Sequence, residues 1–293
     1  METSTDHYIK PGKDPHQTAS YRPISLLPEF SKILEKVIYD RLKPTIEKEK
    51  VIPDHQFGFR NKHFTIEQMH RLINEIIIAL ENKQYCTALF MDIEKAFDKI
   101  NHESLLQTIR KQFREQIYQL IKSYLNSRTF VIKIKDTYSE VKDIKAGVLQ
   151  GNVLGPILYT LYTANIPTTT NSKILTFADD TDVLVKHTNP ETAVTLLQEY
   201  ITKIEKWLQD KQIKANPNKC NHITFTLRKQ IPPNILLNGT HIKQTRQVKY
   251  LGLHLDAQLT WKRHIKSIID KIQTTRRQMH WLTSSKIQIK HRK

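Results

Sequence analysis

The stretch Ile174-Leu-Thr-Phe-Ala-Asp-Asp-Thr-Asp-Val-Leu-Val-Lys186 decides the fold, because two adjacent acids, Asp179 and Asp180, interrupt an apolar run. The residues on both sides of these acids are β-branched, aliphatic or aromatic, which is typical of strands. Residues 174–177 and 182–186 therefore predict two strands joined by a tight turn. Side chains alternate along a straight strand, whereas a hairpin tip can aim both acids toward one external point.

A third acid occurs in similar surroundings. The short apolar run Cys86–Met91 ends on Asp92, and its length and polar borders favour a central strand over a buried helix. Two close carboxylates repel, and a divalent cation keeps both ionised. A strand-end acid and an acidic hairpin together provide the oxygen ligands of a two-cation phosphoryl-transfer site. For the hairpin alone, a solvated Asp-Asp turn is the simpler explanation.

The charge of the chain indicates the kind of partner. The 293 residues carry a formal net charge of +17, and residues 261–293 contain ten lysines and arginines against one acid, Asp270. This excess favours a phosphate backbone as partner, and its concentration in one segment argues against a generically basic protein. Apolar residues at helical spacing predict an amphipathic helix with a cationic exterior there: Ile265, Ile268, Ile269, Ile272 and Met279.

Two cysteines, Cys86 and Cys220, are too few for a disulfide framework, so a reduced compartment is expected. No apolar stretch approaches the roughly 18 residues of a membrane span, and no signal-peptide core begins the chain. We therefore expect a soluble intracellular protein with one large domain or two to three subdomains.

Local patterns predict several elements. A helix is expected from Glu29 to Lys43, with Pro44 as its stop, and a second helix begins at Thr65. The first 28 residues are interpreted as a basic loop and an extended segment, Thr129–Lys135 as an edge strand, and Asn238-Gly239 as a two-residue hairpin turn. The core stripe of the first helix would be Phe30, Ile33, Leu34, Val37, Ile38 and Leu42.

The order of the motifs resembles one family. Asp92-Ile-Glu-Lys-Ala-Phe97-Asp98 and Phe177-Ala-Asp-Asp180 resemble the first palm motif and the acidic hairpin of reverse transcriptases. Gly147-Val-Leu-Gln-Gly-Asn-Val-Leu-Gly-Pro156 resembles their glycine-rich nucleotide loop, and Val248–Asp256 resembles their primer grip. At least seven such motifs follow in order over residues 8–266. Phrases such as Asn216-Pro-Asn-Lys219 are most similar to the jockey clade of non-LTR (LINE-type) retrotransposons.

The resemblance implies an α+β fold, the right-hand polymerase. Residues 1–84 would form N-terminally truncated fingers, 85–256 the palm with interleaved finger elements and the primer grip, and 257–293 the start of a basic helical thumb. The implied activity is RNA-directed DNA synthesis with two Mg²⁺ ions, for which Mn²⁺ can substitute. The expected partners are an RNA template, a DNA primer, dNTPs and the element RNA, in a cytoplasmic ribonucleoprotein and in the nucleus, without a membrane.

The resemblance also assigns catalytic and metal-binding roles. Asp92, Asp179 and Asp180 would be catalytic and would bind the metal ions. Ile93 would join them in the metal site. Lys219 would protonate the pyrophosphate leaving group.

The remaining roles concern the nucleotide and the nucleic acid. Phe97 would stand under the sugar of the nucleotide and exclude a 2′-OH. The other nucleotide-binding residues would be Lys10, Lys13, Arg22, Gln150, Gly151 and Phe177. The nucleic-acid-binding residues would be Phe59, Arg60, Tyr250, Leu251, Gly252, Lys262, Lys266, Lys271, Arg276 and Arg277.

Three departures from the family pattern leave activity open. Leu149 replaces a proline, Asn152 a serine and Phe177 a tyrosine. The alternative is a catalytically inactive, decayed nucleic-acid-binding remnant. The chain resembles a fragment that begins inside the fingers and stops inside the thumb, without the family's endonuclease or zinc-knuckle motifs. An RNA polymerase that copies RNA is disfavoured by the bulk of Phe97, and a two-metal nuclease by the finger and primer-grip motifs.

Overall fold

A computed structural model describes residues 2–9, 14, 16, 21–26, 28–60, 62–126, 128–134, 137–149, 151–229 and 232–280. Its strands are β1 (Glu2–Ile9), β2 (Tyr21–Leu26), β3 (Tyr85–Met91), β4 (Thr129–Ile134), β5 (Thr137–Tyr138), β6 (Lys142–Asp143), β7 (Lys173–Phe177), β8 (Asp180–His187), β9 (Asn221–Phe225), β10 (Ile235–Leu237), β11 (Thr240–Ile242), β12 (Gln247–Tyr250) and β13 (Leu253–Asp256). Its helices are α1 (Glu29–Lys48), α2 (Thr65–Glu81), α3 (His102–Gln112), α4 (Glu115–Leu125), α5 (Leu154–Thr163), α6 (Pro190–Asp210) and α7 (Lys262–Gln278).

Four antiparallel strands form the central sheet, in the order β7-β8-β3-β9. β3 lies in its interior, and all seven residues of this strand are buried. Because side chains alternate along a strand, Leu89 and Met91 pack in one hydrophobic cluster, while Ala88 and Phe90 pack in the other. Burial on both faces makes β3 a firm support for Asp92, the residue that follows it.

Helices and a hairpin cover the two faces of this sheet. The larger cluster receives buried side chains from α1, α3, α4, α5 and α6. The smaller one receives Leu72 and Ile76 from α2, and Val248 and Leu255 from the β12–β13 hairpin. Full burial of an aliphatic side chain stabilises a fold by about 1.5–3 kcal/mol, so these contacts fix the sheet between its two layers.

A second sheet joins distant parts of the chain. β1 pairs antiparallel with β2 and parallel with β4, and both β5 and β6 pair with β4. The prediction of an edge strand at Thr129–Lys135 is wrong, because β4 has partners on both sides. The prediction of a basic loop is wrong for residues 2–9, which form β1, whereas the predicted extended segment is confirmed by β2. Local composition does not reveal a partner strand that lies far away in sequence.

The first helix is longer than predicted. α1 continues through Pro44 and ends at Lys48. A proline inside a helix removes one main-chain donor and disfavours the helix locally. Leu42 and Ile46, on either side of it, are buried in the larger cluster, and this tertiary packing maintains the helix.

The buried face of α1 also differs from the predicted stripe. Ile38 and Leu42 are buried as expected. Ser31 and Glu35 share this buried face. The buried carboxylate of Glu35 accepts hydrogen bonds from residues of a distant loop. The other members of the predicted stripe are exposed: Phe30, Ile33, Leu34 and Val37.

Two short hairpins and a peripheral helix follow β9. The predicted Asn238-Gly239 turn joins β10 to β11, with φ values of +50° and +71°. Leu251 and Gly252 close the β12–β13 hairpin, also at positive φ, as a two-residue type I′ turn requires. The side chains of α7 are exposed or partly exposed, and its apolar side faces solvent. Within the described ranges, no helix is both long enough and apolar enough to cross a membrane.

His222 is a buried polar residue on β9. Its Nε2 atom lies 2.9 Å from Thr87 Oγ1 on β3, and its Nδ1 atom has no hydrogen-bond partner among the described residues. Burial lowers the pKa of His222 from 6.5 to about 4. Below pH 6.5, His222 is therefore protonated in the unfolded chain but stays neutral in the folded state until the pH approaches 4. The associated stability is complete above pH 6.5 and is lost as the pH falls toward 4.

We expect His222→Gln to weaken the acid dependence of folding, because glutamine can contact Thr87 but does not titrate. Between pH 6.5 and 4, the free energy of unfolding of the wild type should fall by up to about 3 kcal/mol more than that of the variant. Urea denaturation at several pH values measures this difference. His241→Gln on exposed β11 is the control, and an equal pH dependence in all three proteins would contradict the assignment.

Candidate active site

The end of β3 and the β7–β8 hairpin bring three aspartates to one edge of the central sheet. Met91 pairs with Thr181, so Asp92 lies opposite Asp180 when the register is continued by one residue. Ala178 and Asp179 form the two-residue turn between β7 and β8, which confirms the predicted hairpin. Main-chain pairing of β3, β7 and β8 thus positions the strand end and the turn that carry the acids.

The three carboxylates influence one another electrostatically. Burial, and after it the negative charges of Asp179 and Asp92, raise the pKa of Asp180 from 3.8 to about 6. Burial also raises the pKa of the Tyr159 hydroxyl, and the next two causes are Asp179 and Asp180. The edge of the sheet therefore concentrates negative charge that solvent does not fully screen.

The chemistry of these side chains suits a hard divalent cation. Carboxylate oxygens are the ligands that Mg²⁺ prefers, and a cation would offset the repulsion that, after burial, raises the pKa of Asp180. Within the described part of the chain, no three His, Cys, Asp or Glu side chains are close enough together to hold a metal ion. The aspartates therefore fit such an ion in donor type and charge, although they do not already form its ligand geometry.

The loop of residues 214–219 supports Asp92 from the side. Asn216 donates its main-chain N–H to the carbonyl of Asp92 at 2.9 Å, and Ile93 forms an antiparallel bridge with Ala215. The ammonium of Lys219 lies 3.5 Å from Asp92 Oδ1, and both side chains are partly exposed. Lys219 therefore lies next to the catalytic candidates, while its role as a proton donor stays a prediction.

Phe97 lies between the sheet and a loop of the predicted fingers. Its ring stacks on Tyr159 with centroids 5.0 Å apart, and Phe59 meets it edge-on at 6.1 Å. Its carbonyl accepts the N–H of Val148 at 2.8 Å. Tyr159, which the sequence reasoning missed, thus connects Phe97 with the charge of the aspartates. Phe97 is half-buried, and its contact with the sugar stays a prediction.

The glycines of the glycine-rich loop allow positive φ angles and a close contact between main-chain segments. Gly147 and Gly151 have φ values of +87° and +89°, which favour glycine. A Cβ on Gly155 would lie 2.2 Å from the carbonyl oxygen of Leu149. A side chain would therefore not fit at Gly155 without a shift of the main chain.

Asn152, one of the departures from the family pattern, is the centre of a polar network. Its Nδ2 donates to Glu35 Oε1 at 2.9 Å and to the Tyr124 hydroxyl at 3.0 Å, while its Oδ1 accepts the N–H of Gly155 at 2.7 Å. Glu35 also accepts the N–H of Val153 at 3.0 Å and the Tyr124 hydroxyl at 2.5 Å. Glu35, on the buried face of α1, thus anchors the loop. The one signal in the sequence for this role is that an acid lies among the apolar residues of the helix.

Some of the predicted nucleotide-binding residues lie in described strands, and others lie outside the described residues. Lys10, Lys13 and Gln150 lie outside the described residues. Arg22 lies in β2, where it pairs with Tyr8. Phe177 ends β7 opposite Asp180 and is half-buried.

The predicted template-contacting loop uses its arginine internally. The Arg60 guanidinium donates to the carbonyls of Gln56 at 3.1 Å and Pro53 at 3.3 Å, and it lies 3.9 Å from Asp54. Phe59, in contrast, is exposed beyond its contact with Phe97. Arg60 therefore closes its own loop, and a template contact from it stays a prediction.

In the predicted primer grip the turn faces outward, whereas the tyrosine is buried. Tyr250 is buried, and its hydroxyl accepts a hydrogen bond from Gln68 Nε2 at 3.3 Å. Burial raises the pKa of the neighbouring Asp182, and a hydrogen bond with Tyr250 opposes this shift. Leu251 and Gly252 occupy the turn that faces outward.

The basic side chains of α7 border two open clefts. One cleft of about 600 Å³ contains Lys266 and Lys271, with Arg263 and Asp270. The other, of about 770 Å³, contains Lys262 and Arg263. Three more cations line this second cleft and were missed from the sequence, where they are scattered among turns: Arg228, Lys229 and Arg246.

The comparison with known proteins identifies the family. A family model for reverse transcriptase (RNA-dependent DNA polymerase) matches residues 10–255. The chain belongs to the reverse transcriptase family. The RNA-directed DNA polymerase from the mobile element jockey of Drosophila melanogaster is 41% identical over 281 residues, which cover 93% of this chain and 31% of that protein. The probable RNA-directed DNA polymerase from transposon BS of the same species is 38% identical over 287 residues, covering 94% and 32%.

Within its family this reverse transcriptase is of the jockey-clade, non-LTR type, as the sequence predicted. It spans about a third of the length of these curated relatives. Reverse transcriptases generally use divalent metal ions, which agrees with the donor type of the three aspartates.

Solved structures confirm the right-hand polymerase fold and the α+β class. The apo telomerase of Candida tropicalis superposes with a TM-score of 0.58 at 14% identity, covering 89% of this chain and 48% of that one. The telomerase of the same organism in complex with a TWJ fragment of telomeric RNA gives 0.58 at 15% identity, covering 89% and 44%.

We expect Asn152→Ser to destabilise the protein, although serine is the residue usual in the family. The shorter side chain cannot reach both Glu35 and Tyr124, which leaves a buried carboxylate with fewer donors. The free energy of unfolding should fall by about 1–3 kcal/mol, measured by urea denaturation. Asn165→Ser, which removes a single hydrogen bond from Trp207, is the control. No destabilisation relative to this control would show that the network is dispensable.

Proposed function

We propose that this reverse transcriptase chain catalyses RNA-templated DNA synthesis by nucleotidyl transfer from a dNTP to a primer 3′-OH. The observation that supports this most is the meeting of Asp92, Asp179 and Asp180 at one sheet edge, where burial, and after it the charges of Asp179 and Asp92, raise the pKa of Asp180. Like charges at one sheet edge contribute nothing to packing, whereas phosphoryl transfer needs carboxylates as cation ligands.

Asp92 and Asp179 are the proposed principal metal ligands, with Asp180 as the third and Ile93 next to them in the site. When bound there, two Mg²⁺ ions would make the primer hydroxyl more acidic and would offset charge on the leaving pyrophosphate. The hydroxyl oxygen forms a bond to the α-phosphorus of the dNTP, and the bond from that phosphorus to the pyrophosphate breaks.

Other side chains would bind the nucleotide, and one would donate a proton to the pyrophosphate. Lys219, exposed beside Asp92, is the proposed proton donor to the pyrophosphate. Phe97 is the proposed barrier to a 2′-OH, because its ring is held in place by Tyr159 and Phe59. Lys10, Lys13 and Arg22 are the proposed triphosphate ligands, with Gln150, Gly151 and Phe177 beside the base and template.

The proposed partners are an RNA template, a DNA primer, dNTPs and the element RNA. The open basic clefts along α7 support a polyanionic partner. The division into fingers (1–84), palm (85–256) and thumb (257–293) stays a prediction. Location in a cytoplasmic ribonucleoprotein and in the nucleus also stays a prediction.

We expect Asp92→Asn and Asp179→Asn each to abolish DNA synthesis while leaving duplex binding nearly intact. The change removes the charge of a metal ligand but almost none of its volume. Primer extension on an RNA template, with dNTPs compared with rNTPs, measures the synthesis, and binding of a labelled duplex provides the control. Full synthesis by either variant would disprove the two-metal assignment.

The wild-type protein in the same assay separates the alternatives. Extension with dNTPs supports reverse transcription, and extension with rNTPs instead would identify an RNA polymerase. Duplex binding without any extension would identify a catalytically inactive remnant.

We expect the cations of α7 to contact phosphates, so that nucleic-acid affinity falls steeply with salt. Neutralising five of them to glutamine should flatten the slope of log affinity against log salt by up to about four to five units, at about 0.9 for each phosphate that the protein no longer neutralises. The five are Lys262, Lys266, Lys271, Arg276 and Arg277, all exposed.

A matched control neutralises five exposed lysines of α1 and α6 and removes the same net charge: Lys32, Lys36, Lys48, Lys203 and Lys206. Filter binding across a salt series gives the three slopes. An equal slope for the α7 variant and this control would show that the charges of α7 are merely solvated.

A further inference from the structure

The turn that carries the acidic pair is held by a glutamine from a distant loop. Gln56 donates from Nε2 to the carbonyl of Ala178 at 3.3 Å, and its Oε1 accepts the N–H of the same residue at 3.2 Å. Oε1 also accepts the N–H of Gly58 at 2.7 Å. The side chain of Gln56 is buried, so water does not compete for these bonds.

The main chain of the same loop extends the sheet up to the turn. Gln56 forms a parallel bridge with Thr176 of β7. Phe57 donates its N–H to the Thr176 carbonyl at 2.9 Å, and Thr176 donates its N–H to the His55 carbonyl at 2.9 Å. Residues 55–57 therefore pair with the outer edge of β7, immediately before the turn that carries the acids.

Gly58 allows the loop to approach the turn closely. A Cβ at this position would lie 2.0 Å from the main-chain nitrogen of Ala178 and 2.9 Å from the carbonyl carbon of Phe177. Such distances exclude any side chain unless the main chain moves. The loop and the turn are thus in direct backbone contact.

The turn has two reasons to need this support. Ala178 adopts φ +59°, at the first position of a two-residue turn where glycine is usual. Asp179 and Asp180, which follow it, repel each other. Hydrogen bonds to both main-chain groups of Ala178 fix its orientation, and with it the direction in which the next two side chains leave the chain.

We propose that Gln56 is a positioning residue for nucleotidyl transfer, which holds the Ala178 peptide so that Asp179 and Asp180 point to the site of reaction. This inference rests on the proposed function, because positioning matters only if these acids are catalytic. The hydrogen bonds of the Gln56 side chain go to main-chain atoms of Ala178 and Gly58. Its effect on the acids therefore passes through the main chain of the turn.

The chain offers a matched control for this contact. Gln198 on α6 holds Leu236 in the same manner: its Nε2 donates to the Leu236 carbonyl at 3.0 Å, and its Oε1 accepts the Leu236 N–H at 2.8 Å. Leu236 belongs to the β10–β11 hairpin, which does not carry the acids. Gln198→Ala therefore removes the same kind of contact away from the proposed site.

The experiment compares the wild type with Gln56→Ala, Gln56→Met and Gln198→Ala. Methionine keeps the length of Gln56 and fills its space, so it preserves packing if alanine does not fold. Single-nucleotide insertion on an RNA template gives kcat and the KM for dNTP. Hydrogen–deuterium exchange at the Ala178 amide reports on the turn without requiring activity, and thermal unfolding reports on overall stability.

Both Gln56 variants should lower kcat by about 10- to 100-fold, the range expected for a small misplacement of catalytic groups, with the KM for dNTP within about twofold of wild type. Exchange at the Ala178 amide should accelerate in both. Gln198→Ala should leave kcat and this exchange rate at their wild-type values.

An unchanged kcat, or an unchanged exchange rate at Ala178, would overturn the proposal. So would a fall in kcat that Gln198→Ala reproduces, since the effect would then reflect general destabilisation. If the wild type makes no DNA, the proposed function fails, and faster exchange at Ala178 in only the Gln56 variants would still support the positioning contact.

Discussion

The mutual repulsion of Asp92, Asp179 and Asp180 is the constraint to which the surrounding structure responds. The acids are held by two different parts of the chain. β3, buried on both faces, fixes Asp92, and the 214–219 loop adds a main-chain bond and the ammonium of Lys219. The hairpin that carries the other two acids is bonded along one edge to β3 and along the other to residues 55–57. The sheet therefore keeps like charges together that would separate in a free chain.

The parts of this arrangement that depend on local sequence were predictable. The apolar runs on either side of Asp179 and Asp180 required a hairpin, and Asn238-Gly239 required another, because turn geometry is determined by a few adjacent residues. The run before Asp92 was correctly interpreted as a central strand, since its near-continuous apolar character suits burial on both faces. These local patterns were sufficient to place the three acids at one site.

The parts that depend on distant partners were not predictable. Pro44 continues a helix because buried neighbours hold it, and β4 is an interior strand because residues near the start of the chain pair with it. Asn152 departs from the family pattern, and the sequence left its effect on activity open, yet its side chain reaches Glu35 on α1 and Tyr124 on α4. Neither contact leaves a signal in the residues around Asn152. Sequence patterns predicted the acids of the candidate site better than the side chains that hold them.

The parallel pairing of β1 with β4 imposes an order on folding. Glu2 pairs with Thr129, so the second sheet cannot close until α1, α2, β3, α3 and α4 have been synthesised. At roughly 5–20 residues per second, translation separates the two strands by on the order of ten seconds. During that interval β1 and β2 lack β4 as a partner, and a two-stranded hairpin by itself is marginally stable in water. The open edge of β1 is a template for pairing with other chains, so the protein is exposed to aggregation until β4 has been synthesised.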